Sequence, residues 1–298
     1  MFLKYSILTS TMKRNLIENI SFFLLKKGFT IKHLTRTCFD ILARNNEKIL
    51  LLKILEDANS ISREYAKEMN KIAAYINATS LIIAEKAGKK LENSVVYNRF
   101  DLYTLNFNTF VNCVNNKFPF VKRTQAGLTA SVIGEKLKKA REELDYSLNF
   151  LSRKIGVTSR MITRYENEDS EITINKAIKI YDIFGKQIFN EIDIFSPKER
   201  IEEGNISELS RKYIDLGFEA TDTNKVPFDI IARKENELIL TEVGDKVNPN
   251  IDSLSRLLDA DNLVIFKKKK PKDIPAVTKQ EFMDFEKANE LIKFLRGF

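Results

Sequence analysis

The spacing of apolar positions along the chain changes twice. Met12 to Lys27 carries apolar residues at helical spacing. The short apolar runs Ile49-Leu50-Leu51-Leu52-Lys53-Ile54-Leu55 and Leu81-Ile82-Ile83-Ala84 follow, with an amphipathic stretch from Ser62 to Ala78 between them. Turn-forming residues bound both runs, and both have the length of buried strands. Residues 132–195 then keep a period of 3.6. From Ile206 the first pattern returns: an amphipathic stretch to Leu216, the run Leu238-Ile239-Leu240-Thr241-Glu242-Val243, a short helical stretch from Asn250 to Leu258, and Leu263-Val264-Ile265-Phe266. The pattern predicts helix, strand, strand, strand, helix, strand on each side of an all-helical segment. The expected class is α+β multidomain, with a central all-α domain between two α/β domains.

The two flanks are copies of one another. Gly28 to Arg44 lies over Gly217 to Arg233 without a gap, and seven of the 17 positions are identical: the leading Gly-Phe and, further on, Phe39-Asp40-Ile41, Ala43 and Arg44 against Phe228-Asp229-Ile230, Ala232 and Arg233. A repeat this long implies two domains of common ancestry. The expected boundaries are 1–122, 123–195 and 196–298. Met1 to Thr11 has no counterpart in the second copy, so these residues are expected to be dispensable.

The element order of each copy resembles the core of the PD-(D/E)xK nuclease-like superfamily. That resemblance implies an Asp on the second strand and an Asp/Glu-x-Lys on the third. Carboxylates suit a hard divalent cation that prefers oxygen ligands, and the lysine steadies the attacked phosphate. Asp40 and Asp229 stand where the first acid belongs. The second motif is broken in both copies. Leu51-Leu52-Lys53 keeps the lysine with leucine at the acid position, and Leu240-Thr241-Glu242 has leucine at the acid and glutamate at the lysine. A lone aspartate does not hold the metal, so nuclease chemistry is expected to be lost and both domains to be inactive.

In the middle segment, Ile133, Leu137, Ala140 and Leu144 mark one face of a first helix. Ser147 is positioned to cap a second helix bearing Leu151 and Ile155, Gly156 supplies a tight turn, and Thr158 caps a third helix holding Ile162 and Tyr165. Thr173 opens a fourth, with Ala177, Ile178, Tyr181 and Phe184 apolar and Gly185 at its end. Two short helices about a glycine-centred turn, at 147–166, form a helix-turn-helix pattern. The run from Gly134 through Leu137, Arg141, Ser147, Leu151, Gly156-Val157-Thr158, Ile162 and Tyr165-Glu166 resembles the Cro/phage-repressor class. That resemblance implies an ion pair between Arg141 and Glu166 joining the first helix to the end of the third. Leu148 stands where the class prefers a glutamine that touches phosphate.

Helix geometry assigns the expected DNA contacts. Ser159, Arg160 and Thr163 project from the recognition helix, 159–166, toward the major groove, with Arg160 placed for a bidentate base contact. Ser147, Leu148, Arg153, Thr158 and Arg164 fall on the surrounding phosphate-facing positions. The full arrangement resembles a family of archaeal transcriptional regulators. It implies a sequence-specific, double-stranded-DNA-binding regulator that is not an enzyme and has no cofactor. Such a protein would be a homodimer, in contact with the basal transcription machinery, cytoplasmic and nucleoid-associated. The competing expectation is a metal-dependent, structure-selective nuclease or junction-binding protein that uses the helix-turn-helix for delivery.

Composition narrows the choice. Of 298 residues, 43% are apolar and 30% charged, and no apolar run approaches the ~20 residues of a membrane span. One histidine, His33, and two cysteines, Cys38 and Cys113, argue against histidine-cluster and cysteine-rich metal sites. The formal charge is +8, and residues 1–122 alone hold 19 Lys/Arg against 10 Asp/Glu. That excess is either a solvated lysine face or a footprint for an acidic partner, nucleic acid first. Lys267 to Lys270 is expected to be a solvated exit from the last strand of the second copy.

Overall fold

A computed structural model describes residues 2–196 and 206–298, with side chains from residue 13 onward. The first repeat contains α1 (Phe2–Lys26), β1 (Thr30–His33), β2 (Ile41–Arg44), β3 (Ile49–Asp57), α2 (Arg63–Tyr75) and β4 (Thr79–Ala87). It continues through β5 (Lys89–Lys90), β6 (Val95–Arg99), β7 (Leu102–Leu105) and α3 (Phe107–Val114). Strands β1, β2 and β3 pair antiparallel, and β3, β4 and β7 pair parallel, as a crossover through α2 requires. The backbone of α1 is helical from Phe2 rather than from Met12. The expectation that Met1 to Thr11 is dispensable concerns side chains outside the described residues.

Two further strands, β8 (Val121–Thr124) and β9 (Gly127–Val132), lead into the middle segment. Its helices are α4 (Gly134–Glu143), α5 (Leu148–Ile155), α6 (Ser159–Asn167) and α7 (Ile174–Phe184), with β10 (Ser170–Thr173) between the last two. Strand β8 pairs parallel to β6, β9 pairs with β8, and β10 with β9. The helical segment is therefore joined to the sheet of the first repeat by strand pairing. The helical periodicity of 132–195 did not reveal β10. Leu144, expected on the buried face of the first helix, sits at the C-cap of α4 and is 47% exposed.

The second repeat contains α8 (Glu208–Asp215), β11 (Glu219–Asp222), β12 (Ile230–Lys234), β13 (Glu237–Val243), α9 (Ile251–Leu258), β14 (Asp261–Phe266), β15 (Ala276–Thr278), α10 (Lys279–Asp284) and α11 (Ala288–Arg296). The registers match those of the first repeat: Leu42 pairs with Leu51 as Ile231 pairs with Leu240, and β13 runs parallel to β14.

The two repeats pack on each other about an approximate two-fold axis. Phe39, Leu42 and Leu51 share one buried cluster with their equivalents Phe228, Ile231 and Leu240. At the edges, Arg44 donates to the Leu257 carbonyl at 2.9 Å and Arg233 to the Tyr75 carbonyl at 3.0 Å, so each repeat caps the other's helix end. Glu68 and Lys71 form a buried ion pair at 2.9 Å, and they bind the Asn224 amide and the Asp222 carbonyl at the end of β11. The Cys38 amide donates to the Lys225 carbonyl. The reverse bond cannot form, because Pro227 occupies the equivalent place and has no N–H. Each repeat fills the other side of its sheet with its own helices, α1 and α3 in the first and α8, α10 and α11 in the second. Among the described residues no helix is long and apolar enough to cross a membrane.

Candidate nucleic-acid interface

The helix-turn-helix is assembled by three local devices. Ser147 and Thr158 lie in extended backbone and accept from the Phe150 and Met161 amides, capping α5 and α6. Between the helices Gly156 has φ +79°, a left-handed conformation that a side chain would strain. At the start of α4, a Cβ on Gly134 would lie 2.6 Å from the Glu166 carbonyl oxygen. Only glycine lets α4 approach the end of α6 that closely.

Arg141 and Glu166 face each other across this junction. Nε donates to one carboxylate oxygen at 2.6 Å and Nη2 to the other at 3.1 Å, and Nη1 reaches the Tyr146 carbonyl. Glu166 is 5% exposed and Arg141 12%. The hydrogen bonds that Arg141 donates to the Glu166 carboxylate hold the guanidinium protonated beyond its ordinary range. A planar fork on a buried carboxylate fixes relative orientation, here that of α6 on α4. Ile162 and Tyr165 are buried with Leu137, Leu151 and Ile155, and burial also pushes the Tyr165 phenol up.

The outer face of α6 is polar and cationic. Arg160, Thr163 and Arg164 are exposed, as is Met161 at 41%. Arg160 has no ionic or hydrogen-bonding partner among the described residues, whereas Arg164 lies 3.6 Å from Glu168 one turn on. Ser159 is half-buried, and its hydroxyl is engaged by Asn149 and Ser152 of α5. Arg153 and Lys154 are exposed at the end of α5, with Lys154 over the Phe150 ring. Leu148 is half-buried against the helical core, and Ser147 and Thr158 remain exposed at their caps. The side chains expected to face DNA thus lie on α5, α6 and their caps, and Arg141 and Glu166 lie behind them. Sequence reasoning missed Lys176: its ammonium donates to the Gly156 carbonyl and ties α7 to the turn before α6. Its place in the first turn of α7 carries no sequence signal for that role.

The nuclease-like positions form no comparable site. Asp40 accepts from the Ile54 amide at 2.8 Å and lies 3.1 Å from Lys13 and 3.5 Å from Lys53. Burial lowers the Lys53 ammonium, and Asp40 partly offsets that effect. In the second repeat Asp229 accepts from the Val243 amide, and Glu242, 5% exposed, accepts from the Asn248 amide. Burial pushes the Glu242 carboxyl up to about 7. Leu51 and Leu240 are fully buried in the seam between the repeats. The donor set for a hard divalent cation is absent from both places, so the residues present do not fit the metal that the superfamily motif implies. Cys38 and Cys113 are buried thiols pushed up to about 12 by burial. The amides of Lys267, Lys268 and Lys269 close on the Asp245 carboxylate.

Comparison with known proteins adds two domain matches and a set of full-length relatives. The family model described as a PD-(D/E)XK superfamily domain matches residues 13–119, and that described as helix-turn-helix matches residues 137–189. A protein of Methanocaldococcus jannaschii is 30% identical over 91% of this chain and 92% of its own length. One of Archaeoglobus fulgidus is 30% identical over 94% and 97%, and one of Thermococcus gammatolerans 24% identical over 96% of each chain. All three carry the name HTH-type transcriptional regulatory protein. No solved structure matches.

Proposed function

The chain belongs to this family of archaeal HTH-type transcriptional regulatory proteins, and we propose that it is a sequence-specific regulator that reads double-stranded DNA through α6. The single observation that carries the reading is the cationic outer face of α6, whose inner face and orientation are fixed by Ile162, Tyr165 and the Arg141–Glu166 fork. Arg160 reads a base edge in the major groove, with Ser159 and Thr163 beside it. Arg153, Thr158, Arg164 and the Ser147 cap meet phosphates and set the register. Leu148 contributes packing to the helix that docks across the backbone.

The two nuclease-like repeats act as a binding and assembly module and not as an enzyme. The leucines in the motif's acid positions lie inside the seam between the repeats, where neither metal nor DNA can reach them. Each chain carries one reading head, and specific sites are usually read by two heads about one helical turn apart, so the working unit is a homodimer. Contact with the basal transcription machinery and a place on the nucleoid accord with such a regulator.

Selection from a random duplex library with the full chain, at fixed salt, tests the proposal. The expected result is one enriched motif with two-fold symmetry. Equal retention of all sequences would overturn sequence-specific reading, and magnesium-dependent cleavage of the library would favour the nuclease alternative.

A further inference from the structure

The strands that join the first repeat to the helical domain carry a cationic hairpin that groove reading by α6 does not use. Strands β8 and β9 meet through the two-residue turn Gln125-Ala126, closed by Gly127 at φ +113°. Lys122, Thr129 and Thr173 lie in one row of the sheet, and Thr173 is the last residue of β10. The next row, Arg123 and Leu128, therefore passes beyond β10 and runs beside the first turn of α7.

Alternation decides which way these residues face. Lys122, Thr129 and Glu171 share one face, where Lys122 pairs with Glu171 at 2.7 Å and Thr129 donates to the same carboxylate. The hydrogen bond from Lys122 holds the Glu171 carboxyl below its ordinary range, so that face is neutralised. Arg123 is on the opposite face, the one whose Ala130 and Ile172 pack under the helices. It is exposed and has no ionic or hydrogen-bonding partner among the described residues.

The neighbouring elements link this hairpin to the reading helix. The first turns of α7 place Lys176 on the Gly156 carbonyl and bring the Lys179 ammonium close to Gly156, next to the start of α6. Arg123 thus lies beside the first turn of α7, and Lys176 and Lys179 of the same helix reach the turn that precedes α6. The root of the hairpin is fixed twice, by β9 on β10 and by β8 on β6. A cation on such a support loses little freedom when it binds.

We propose that the β8–β9 hairpin is a wing that lays Arg123 on the phosphate backbone of duplex DNA, flanking the groove entered by α6. The proposal rests on the DNA-reading function above. It adds a backbone contact that supplies affinity without sequence information.

The test compares the full chain with its Arg123→Ala and Arg123→Lys variants on a labelled selected duplex and on a scrambled duplex, across 50–200 mM salt. Arg123→Ala is expected to weaken both duplexes alike and to lower the salt slope by about one. The gap from the unaltered chain should then narrow about 3- to 4-fold between the two ends of the series. Arg123→Lys should keep the slope, and a backbone footprint should lose protection outside the α6 groove only in Arg123→Ala. Unchanged affinity and slope in Arg123→Ala, on DNA that the unaltered chain binds, would overturn the wing while leaving the regulator reading intact. Loss of discrimination at one base pair would overturn the phosphate assignment. Absence of DNA binding by the unaltered chain would overturn both, and this outcome is visible before any variant is made. Thermal melting of each variant checks the fold, which Arg123 does not support through any ion pair or hydrogen bond among the described residues.

Discussion

Arg44 and Arg233, 189 positions apart, make the same bond in opposite directions: each guanidinium closes on the C-terminal carbonyls of the other repeat's helix. Free carbonyls at a helix end attract cations, and a charged donor at a partly buried site strengthens the bond. Arg44 also meets Asp259, which is 75% exposed and adds little. Arg44→Ala and Arg233→Ala are each expected to cost about 1–3 kcal/mol. The apolar seam should still make the repeats unfold in one transition. Calorimetry of the single and double variants checks this, and two separated transitions in either single variant would contradict it.

The seam also accounts for the missing nuclease acids. Leu51 and Leu240 are equivalent residues in one buried cluster, so a carboxylate at either place would be desolvated between two sheets. Leu51→Glu is expected to destabilise the chain by more than about 3 kcal/mol and to restore no cleavage. Denaturant melts together with a nicking assay in magnesium or manganese check both parts. Cleavage by the unaltered chain, abolished by Asp40→Asn or Asp229→Asn, would refute the inactive reading.

Glu242 gives the second repeat a pH dependence. Burial, with Asp229 adding to it, raises the carboxyl from an ordinary 4.5 to about 7. A group raised in the folded state contributes stability that is complete below its unfolded value and is lost as pH rises through the folded one. The contribution is therefore whole below about pH 4.5 and gone above about pH 7, a loss on the order of 3 kcal/mol. Glu242→Gln should match the unaltered chain near pH 4.5 and exceed its stability at pH 8. Equal denaturation midpoints at pH 8 would show that Glu242 is not desolvated in solution.

The repeat was legible in the sequence because several of its identical residues are held by geometry: Asp40 and Asp229 bind amides of the third strand, and Arg44 and Arg233 bind across the seam. The helix-turn-helix was legible because the turn requires glycine at 156 and the helices require Ser147 and Thr158 as caps. The packing of one repeat on the other was not legible. A buried leucine at an acid position looks the same whether it faces its own helix or a second sheet. The strands flanking the helical domain were hidden for a similar reason, because four-residue segments such as Ser170–Thr173 take their conformation from the strand they pair with. Periodicity marked Ile178 and Tyr181 as apolar on α7, but they are 51% and 46% exposed beside the buried stripe of Ala177, Ile180 and Phe184.

The Arg141–Glu166 fork should matter twice. Removing one partner leaves the other charged and buried, which costs about 3–5 kcal/mol, so Arg141→Ala is expected to lower the melting point sharply. Arg141→Lys keeps the charge but loses the two-pronged fit. It should fold and bind DNA less tightly because α6 is held less firmly. Melting and duplex affinity measured on the same preparations separate the two effects, and unchanged affinity in a folded Arg141→Lys chain would confine the pair to stability.

Arg160 and Arg164 sit one turn apart on the exposed face of α6 and start from different states. Arg160 has no partner among the described residues, whereas Arg164 must leave Glu168, 3.6 Å away, before it can neutralise a phosphate. A bidentate contact to a base is worth about 1–3 kcal/mol of discrimination, so Arg160→Ala should lose that much on the selected site and little on scrambled DNA. Arg164→Ala should weaken both DNAs alike and lower the salt slope by about one. Glu168→Gln should strengthen both, because it frees Arg164 and removes a negative charge near the backbone. Leu148→Gln should add a modest, sequence-independent gain if α5 lies across the phosphates. The comparison that decides is Arg160→Ala against Arg164→Ala on matched and scrambled duplexes over one salt series. Equal losses on both DNAs in both variants would mean that α6 touches the backbone without reading bases, and specificity would then have to come from DNA shape.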